Sequence, residues 1–217
     1  MDVRADGRPD GRLARGDHTR RAVLRRAVDI ASIDGLDGLS IGRLAKELEI
    51  SKSGLFAHFG AKEELQLAAI RAARRIYADA VVDPAFAVPP GLRRVWMLGE
   101  SWLDYSRRRV FPGGCFFAKA THEFGARAGR VHDALAAANS EWLAAVERVI
   151  EDARQLGELR ADTDPAQLAF ELNAFLESAN MASLLRADDT AYAHARAAIR
   201  ARLTAAASPG TPHPWTD

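Results

Sequence analysis

Between residues 51 and 59 the chain reads Ser51-Lys52-Ser53-Gly54-Leu55-Phe56-Ala57-His58-Phe59, small and polar residues first and aromatics after them. Serine hydroxyls and a lysine ammonium can bond to phosphate oxygens or base edges, and small side chains let a backbone approach both closely. Ser40 and Arg43 precede this run, and Lys62 follows it. Together they supply one more hydroxyl and two more cations. Such a set suits recognition of a polyanion rather than bond making. The catalytic side of the ledger is thin: HExxH, P-loop and dinucleotide fingerprints are missing, and no Glu-x-x-His pair serves a di-iron bundle. No catalytic residue, metal site or cofactor is assigned. His122, Glu123 and His132 lack the spacing and the cysteine partner of a metal site.

The elements that must position the 51–59 run follow from local pattern. Val23, Leu24, Ala27, Ile30 and Ala31 fall at helical spacing and Gly35 ends that helix. Ser40 stands as an N-cap before a second helix with Ile41, Leu44, Ala45 and Leu48 on one face. Glu49-Ile50 form the turn, Ser51 caps a third helix to about Phe59, and Gly60 stops it. A fourth helix is expected over 62–82, up to the break at Asp83-Pro84. Two short helices joined by a tight turn are the device by which proteins present a helix to the major groove.

Leu39-Ser40-Ile41-Gly42-Arg43-Leu44-Ala45, then the Ile50–Phe59 run, then Ala61-Lys62-Glu63-Glu64-Leu65 resembles the N-terminal domain of the tetracycline-repressor (TetR/AcrR) family over roughly residues 19–70. The resemblance implies that Ser40 caps the second helix and touches the DNA backbone. It implies that Ser51, Lys52, Ser53 and Gly54 face the groove, and that His58 and Lys62 meet phosphate. Phe56 stands where family members usually carry a tyrosine, and Arg43 is displaced by one position from the family's arginine, which falls on Gly42. The full DNA-binding set is therefore Ser40, Arg43, Ser51, Lys52, Ser53, Gly54, Phe56, His58 and Lys62.

Residues 1–26 hold eight arginines against four aspartates, so this end carries +4 while the remainder nets −3 within a total of +1. A basic flexible arm over 1–18, with Arg12, Arg15, Arg20 and Arg21 near the duplex backbone, suits an anionic partner. Apolar residues make up 48% and charged residues 27%, the balance of an ordinary globular chain. No apolar run reaches the ~20 residues of a membrane span. No leader pattern precedes the charged start, and the single cysteine, Cys115, excludes an intrachain disulfide. The expectation is a cytoplasmic protein with no membrane partner.

Beyond Pro89-Pro90-Gly91 further helices are expected over about 91–108, 114–124, 126–156, 165–187 and 189–206, followed by a disordered tail over 208–217. The fold class is all-α: a three-helix helix-turn-helix domain (19–62), the fourth helix as connector, and a larger bundle (83–207), about nine helices in total. Val131, Leu135, Ala138, Trp142, Ala145 and Val149 mark one long amphipathic helix. The 165–187 helix is apolar on two faces, which argues for a homodimer with Leu172, Leu176, Leu184 and Ile199 at the interface. The resemblance implies the same pairing through the last two helices.

Aromatic residues crowd this second domain, which in such regulators holds a small-molecule effector. The candidate pocket residues are Trp96, Trp102, Tyr105, Cys115, Phe117, His122, Trp142, Asn173 and Phe175, with Asn180 and Glu123 as further polar groups. Aromatics at helical spacing serve equally as core, and Cys115 equally as an inert buried thiol. The function this implies is a transcriptional regulator that binds double-stranded DNA. Its form would be a homodimeric repressor on a pseudo-palindromic operator, released by a small apolar or aromatic effector. An activator or a ligand-independent regulator of the same fold are the alternatives, and a helical enzyme is the rival from another class.

Overall fold

The computed structural model describes residues 11–215, with side chains from Thr19 onward. Every named element is helical, and an isolated bridge between Leu159 and Ala207 is the sole strand-like pairing among the described residues. The order is α1 (Gly11–Asp34), α2 (Ile41–Glu47), α3 (Lys52–Phe59) and α4 (Lys62–Tyr77), a π-turn (Ala78–Val82), then α5 (Asp83–Phe86). The body follows with α6 (Leu92–Arg107), α7 (Phe116–Phe124), α8 (Arg130–Gln155), α9 (Pro165–Arg186) and α10 (Thr190–Ala206). No helix among the described residues is long and apolar enough to cross a membrane.

Three boundaries depart from the sequence reading, each for a physical reason. Helix α1 starts at Gly11 rather than Thr19. Leu13, Ala14 and the neighbouring arginines are strong helix formers, and Gly16 alone costs only about 1 kcal/mol. The expected flexible arm is thus corrected over 11–18; residues 1–10 and the side chains of Arg12 and Arg15 lie outside the described residues. Second, the chain does not break at Asp83-Pro84. Helix α4, the π-turn and α5 run on with helical dihedrals at Tyr77, Ala78, Val82 and Asp83. Pro84 lacks an N–H and its ring would press on the carbonyl four residues back, so the preceding turn widens instead of ending. Counted as one run, these pieces bring the helices to the expected nine among the described residues.

Third, the tail is packed up to Trp215. The Ser208 N–H and Thr211 hydroxyl both donate to the Glu158 carbonyl (2.9 and 3.1 Å), and the Trp215 ring lies 5.1 Å from that of Trp96. The aromatic contact and the two hydrogen bonds together oppose the entropy lost on ordering this segment, which its prolines already reduce.

The core is continuous from head to body. In the head, Val23, Ala27, Ile30, Leu39, Leu44, Leu55 and Phe59 close on one another, and in the body α6, α8, α9 and α10 pack side by side. Helix α9 uses both faces. Leu168, Leu172 and Leu176 are buried within the chain, as is Ile199 on α10, whose methyls lie 3.5 and 3.7 Å from where a Cβ on Gly99 would stand. Three of the four expected interface residues, Leu172, Leu176 and Ile199, therefore serve this chain's own core. Leu184 is 41% exposed, and it shares the outer side with Phe170 (68%), Met181 (52%) and Leu185 (80%). The helix is apolar on two faces as its sequence indicates, but period alone cannot say which face turns inward.

Candidate functional site

Local chemistry builds the reading head. The Arg43 N–H donates to Ser40 Oγ and the Gly54 N–H to Ser51 Oγ, both at 3.1 Å, so each serine caps its helix as its position predicts. Between the two helices Glu49 takes the left-handed conformation (φ 55°) that makes the turn tight. On α3, Leu55 and Phe59 are buried, whereas Lys52, Ser53, Gly54, Phe56, Ala57 and His58 are exposed. Phe56 is 58% exposed, so it belongs to the outward face rather than the core. The letters Gly38-Leu39-Ser40-Ile41-Gly42 also spell the G-x-S-x-G of serine hydrolases. Among the described residues no strand precedes them, and Ser40 Oγ is committed to capping.

The head's cations divide into two groups. Arg43 is held by Asp34 (2.7 Å) and Glu47 (2.9 Å), and Arg26 also binds Glu47 (2.6 Å). These arginines hold the Glu47 carboxyl below its ordinary value, Arg43 most strongly. Lys62 donates to the Asp37 carbonyl at 2.7 Å and approaches its carboxylate at 3.4 Å. Both Arg43 and Lys62 thus brace the head internally, a role that no motif announces. Lys46 and Lys52 are exposed and carry no ion pair among the described residues. Lys46 escaped the sequence reading, although its place on the polar side of α2 was the signal. Arg20 lies over the Phe59 ring at 5.8 Å, beside a small groove lined by Ser51, Gly54 and His58.

A second site lies in the body, a cavity of about 250 Å³ walled by α4, α6, α7, α8 and α9. Six expected residues line it: Trp102, Cys115, Phe117, His122, Trp142 and Asn173. Three do not. Trp96 is taken by Trp215, Tyr105 is buried behind Tyr77 (5.3 Å between rings), and Phe175 packs against the core. Nor do the two extra polar groups reach it. Asn180 Oδ1 accepts from the Cys115 N–H and Ser106 hydroxyl, both at 3.0 Å, while Glu123 turns toward the head. The sequence reading missed Arg74, Tyr77, Glu141 and Glu177. Arg74 and Tyr77 were hidden because the fourth helix was read as a connector only, yet it forms one wall. Burial pushes the Cys115 thiol up, and Tyr77 and Tyr105 well up, so Cys115 stays protonated and a poor nucleophile at neutral pH.

Head and cavity meet at α7. Thr121 and His122 line the cavity, and the next residue, Glu123, accepts the Leu36 and Asp37 N–H groups at 2.6 and 2.8 Å. These amides belong to the turn ahead of α2. Gly35 (φ 81°) admits the clamp, because a Cβ there would strike the Glu123 carboxylate. Asp37 also pairs with Arg127, which lowers its carboxyl pKa, with Lys62 assisting. A depressed folded value means that the contact stabilises above the ordinary carboxylate range and is lost as pH falls through the lowered value. Arg130 adds bonds to Glu63 (3.0 Å) and Glu64 (2.6 Å) at the start of α4.

The comparisons with known proteins agree with this architecture. Residues 23–69 match the model described as bacterial regulatory proteins, tetR family, and residues 91–199 match the tetracyclin repressor-like C-terminal domain. The transcriptional regulator AcuR of Cereibacter sphaeroides is 25% identical over 170 residues, covering 76% of this chain and 74% of that protein. A TetR transcriptional regulator from Chloroflexus aurantiacus shares the fold with a TM-score of 0.83 at 22% identity, over 89% of this chain and 98% of that one. AibR, solved in complex with isovaleryl coenzyme A and operator DNA, shares it with a TM-score of 0.60 at 20% identity, over 72% and 83%. With the C-terminal model alone matching half of its length, and the helix-turn-helix model matching the head, this chain belongs to the TetR family of transcriptional regulators, DNA-binding proteins rather than enzymes.

Proposed function

We propose that the chain acts as a homodimeric repressor that grips a pseudo-palindromic operator through α3 and lets go when a small effector fills the body cavity. The exposed face of α3 carries this reading: Lys52, Ser53, Gly54, Phe56 and His58 stand outward together, capped by Ser51 and backed by Leu55 and Phe59. Lys52 supplies charge, Ser53 and Gly54 supply close approach, and Phe56 can press on a thymine methyl or a sugar. Replacing Ser53 with alanine is expected to change which duplexes are preferred rather than to weaken all of them. Selection from a random pool, read by sequencing, checks this. An unchanged preference would move Ser53 out of the groove.

Two reading heads suit two half-sites, and the outer side of α9 supplies the means of pairing. Phe170, Met181, Leu184 and Leu185 are large and exposed, and the adjoining face of α10 carries Ala193, Ala197, Ala201 and Ala205 at helical spacing. Small residues beside large ones allow close helix contact across a two-fold axis. Met181→Glu is expected to shift the mass in light scattering from two chains to one and to weaken operator binding steeply.

Release requires that the effector favour a conformation in which the heads no longer fit, since equal affinity for both states shifts nothing. The cavity supports such coupling because two of its walls, α4 and α7, lead to the head. Helix α4 begins at the head and continues into the π-turn whose Ala78 and Val82 line the cavity, and α7 ends in the Glu123 clamp. That AibR, of the same fold, binds an acyl-coenzyme A as well as its operator supports a ligand for this domain.

A further inference from the structure

We propose that the cavity selects a compact organic cation, an ammonium or similar group carrying apolar substituents. The inference rests on the effector reading above and names the ligand class for the same site. Tyr77, Trp102, Phe117 and Trp142 line the cavity. The Tyr77 ring stands nearly perpendicular to Phe117 (85°, centroids 5.6 Å) and to Trp142 (88°, 5.3 Å), so the rings meet as the corners of a box. Ring faces carry negative potential and attract cations, most strongly where water is displaced.

The charges around this box point the same way. Arg74 is the one arginine or lysine in the lining, and it is already paired with Glu141. The His122 Nδ1 is engaged with the Ala118 carbonyl at 2.7 Å, and Asn173 Oδ1 accepts the Trp142 indole N–H at 2.9 Å. Glu177 is left. Its carboxylate lies at the rim and has no partner among the described residues. The lining thus holds one negative charge without a protein partner beside four aromatic side chains. An anionic ligand would meet that charge with no free cation to answer it. A neutral one would leave the exposed carboxylate to water and gain nothing from it. Glu177 also follows Phe170 and Ala174 at helical spacing on the outer side of α9, so pairing of subunits there would cover the rim and reduce its screening by water. A cavity of about 250 Å³ is near the small end for ligand sites, which favours a small skeleton.

The test uses the full chain and three soluble probes of similar size: benzyltrimethylammonium, benzyl alcohol and phenylacetate. Binding is followed by tryptophan fluorescence and operator release by anisotropy of a labelled duplex. The expected result is that benzyltrimethylammonium binds at least about tenfold more tightly than benzyl alcohol, that phenylacetate binds worst, and that the cation alone releases the operator. Glu177→Gln, which keeps size and fold, is expected to weaken the cation about tenfold and leave benzyl alcohol unchanged; Trp142→Ala is expected to weaken both. Equal or tighter binding of phenylacetate or benzyl alcohol, with operator release, would overturn the cation preference and leave the effector cavity standing. Unchanged cation affinity in Glu177→Gln would overturn it likewise. Failure of all three probes to bind or release would remove both.

Discussion

Lys52→Glu is expected to cut operator affinity by at least roughly 100-fold at 0.1 M salt while leaving the protein as stable as before, or slightly more so. Lys52 is the first residue of α3 after the Ser51 cap, exposed and without an ion pair among the described residues. A cation at a helix N-terminus opposes the helix dipole, whereas a glutamate there favours it by roughly 0.3–1 kcal/mol. On stability alone, lysine is the wrong residue at this position. What it offers is charge at the surface that must meet phosphate. The reversed charge is repelled by each half-site, and a dimer carries two copies, so a few kcal/mol in total are at stake. Anisotropy titrations over a salt series measure the loss. Lys52→Ala should reduce the slope of log K against log salt by about 2, close to one phosphate per subunit. A variant that binds normally would place α3 outside the groove.

Gly113→Ala is expected to destabilise the fold by about 3 kcal/mol and to lower Tm by roughly 6–12 °C, as followed by circular dichroism. Gly113 sits in the turn between α6 and α7, where its N–H donates to Ser32 Oγ at 3.0 Å. A Cβ there would run into the backbone of Ser32 and Ile33 on α1, and backbone cannot swing aside as a side chain does. The same contact, with Arg25 donating to the Val110 carbonyl at 2.6 Å, ties α1 to the body, so the variant should loosen the head as well. Gly42→Ala is the control. Nothing lies within 4 Å of its added Cβ, and alanine in the short helix α2 should stabilise by up to about 1 kcal/mol. Equal stability of both variants would mean that the α1 contact is not tight.

The contrast between those two glycines shows where a sequence is informative. The helix-turn-helix was legible because its determinants are local: the Ser40 and Ser51 caps, the Glu49 turn, and buried Leu44, Leu55 and Phe59 at helical spacing. Asp164 followed by Pro165 placed the start of α9 for the same reason, and its carboxylate accepts the Ala166 and Gln167 N–H groups at 2.9 and 3.3 Å. What escaped depends on partners far along the chain. Lys62 reads as a phosphate contact until Asp37 lies beside it. Trp96 reads as a pocket aromatic until Trp215 folds back upon it, and Glu177 is one more surface carboxylate until α4 and α8 bring rings alongside. The inward and outward faces of α9 carry similar residues, so Leu172 and Leu185 could be told apart only once α10 was in place.

The grip of α3 on DNA is the claim on which the rest depends, and hydroxyl-radical footprinting on a duplex selected from a random pool tests it most directly. The account predicts two protected half-sites related by a two-fold axis, with centres about one helical turn or a whole multiple apart, and loss of both together in Lys52→Glu. Protection of a single half-site at every protein concentration, or a full footprint that survives Lys52→Glu, would contradict it.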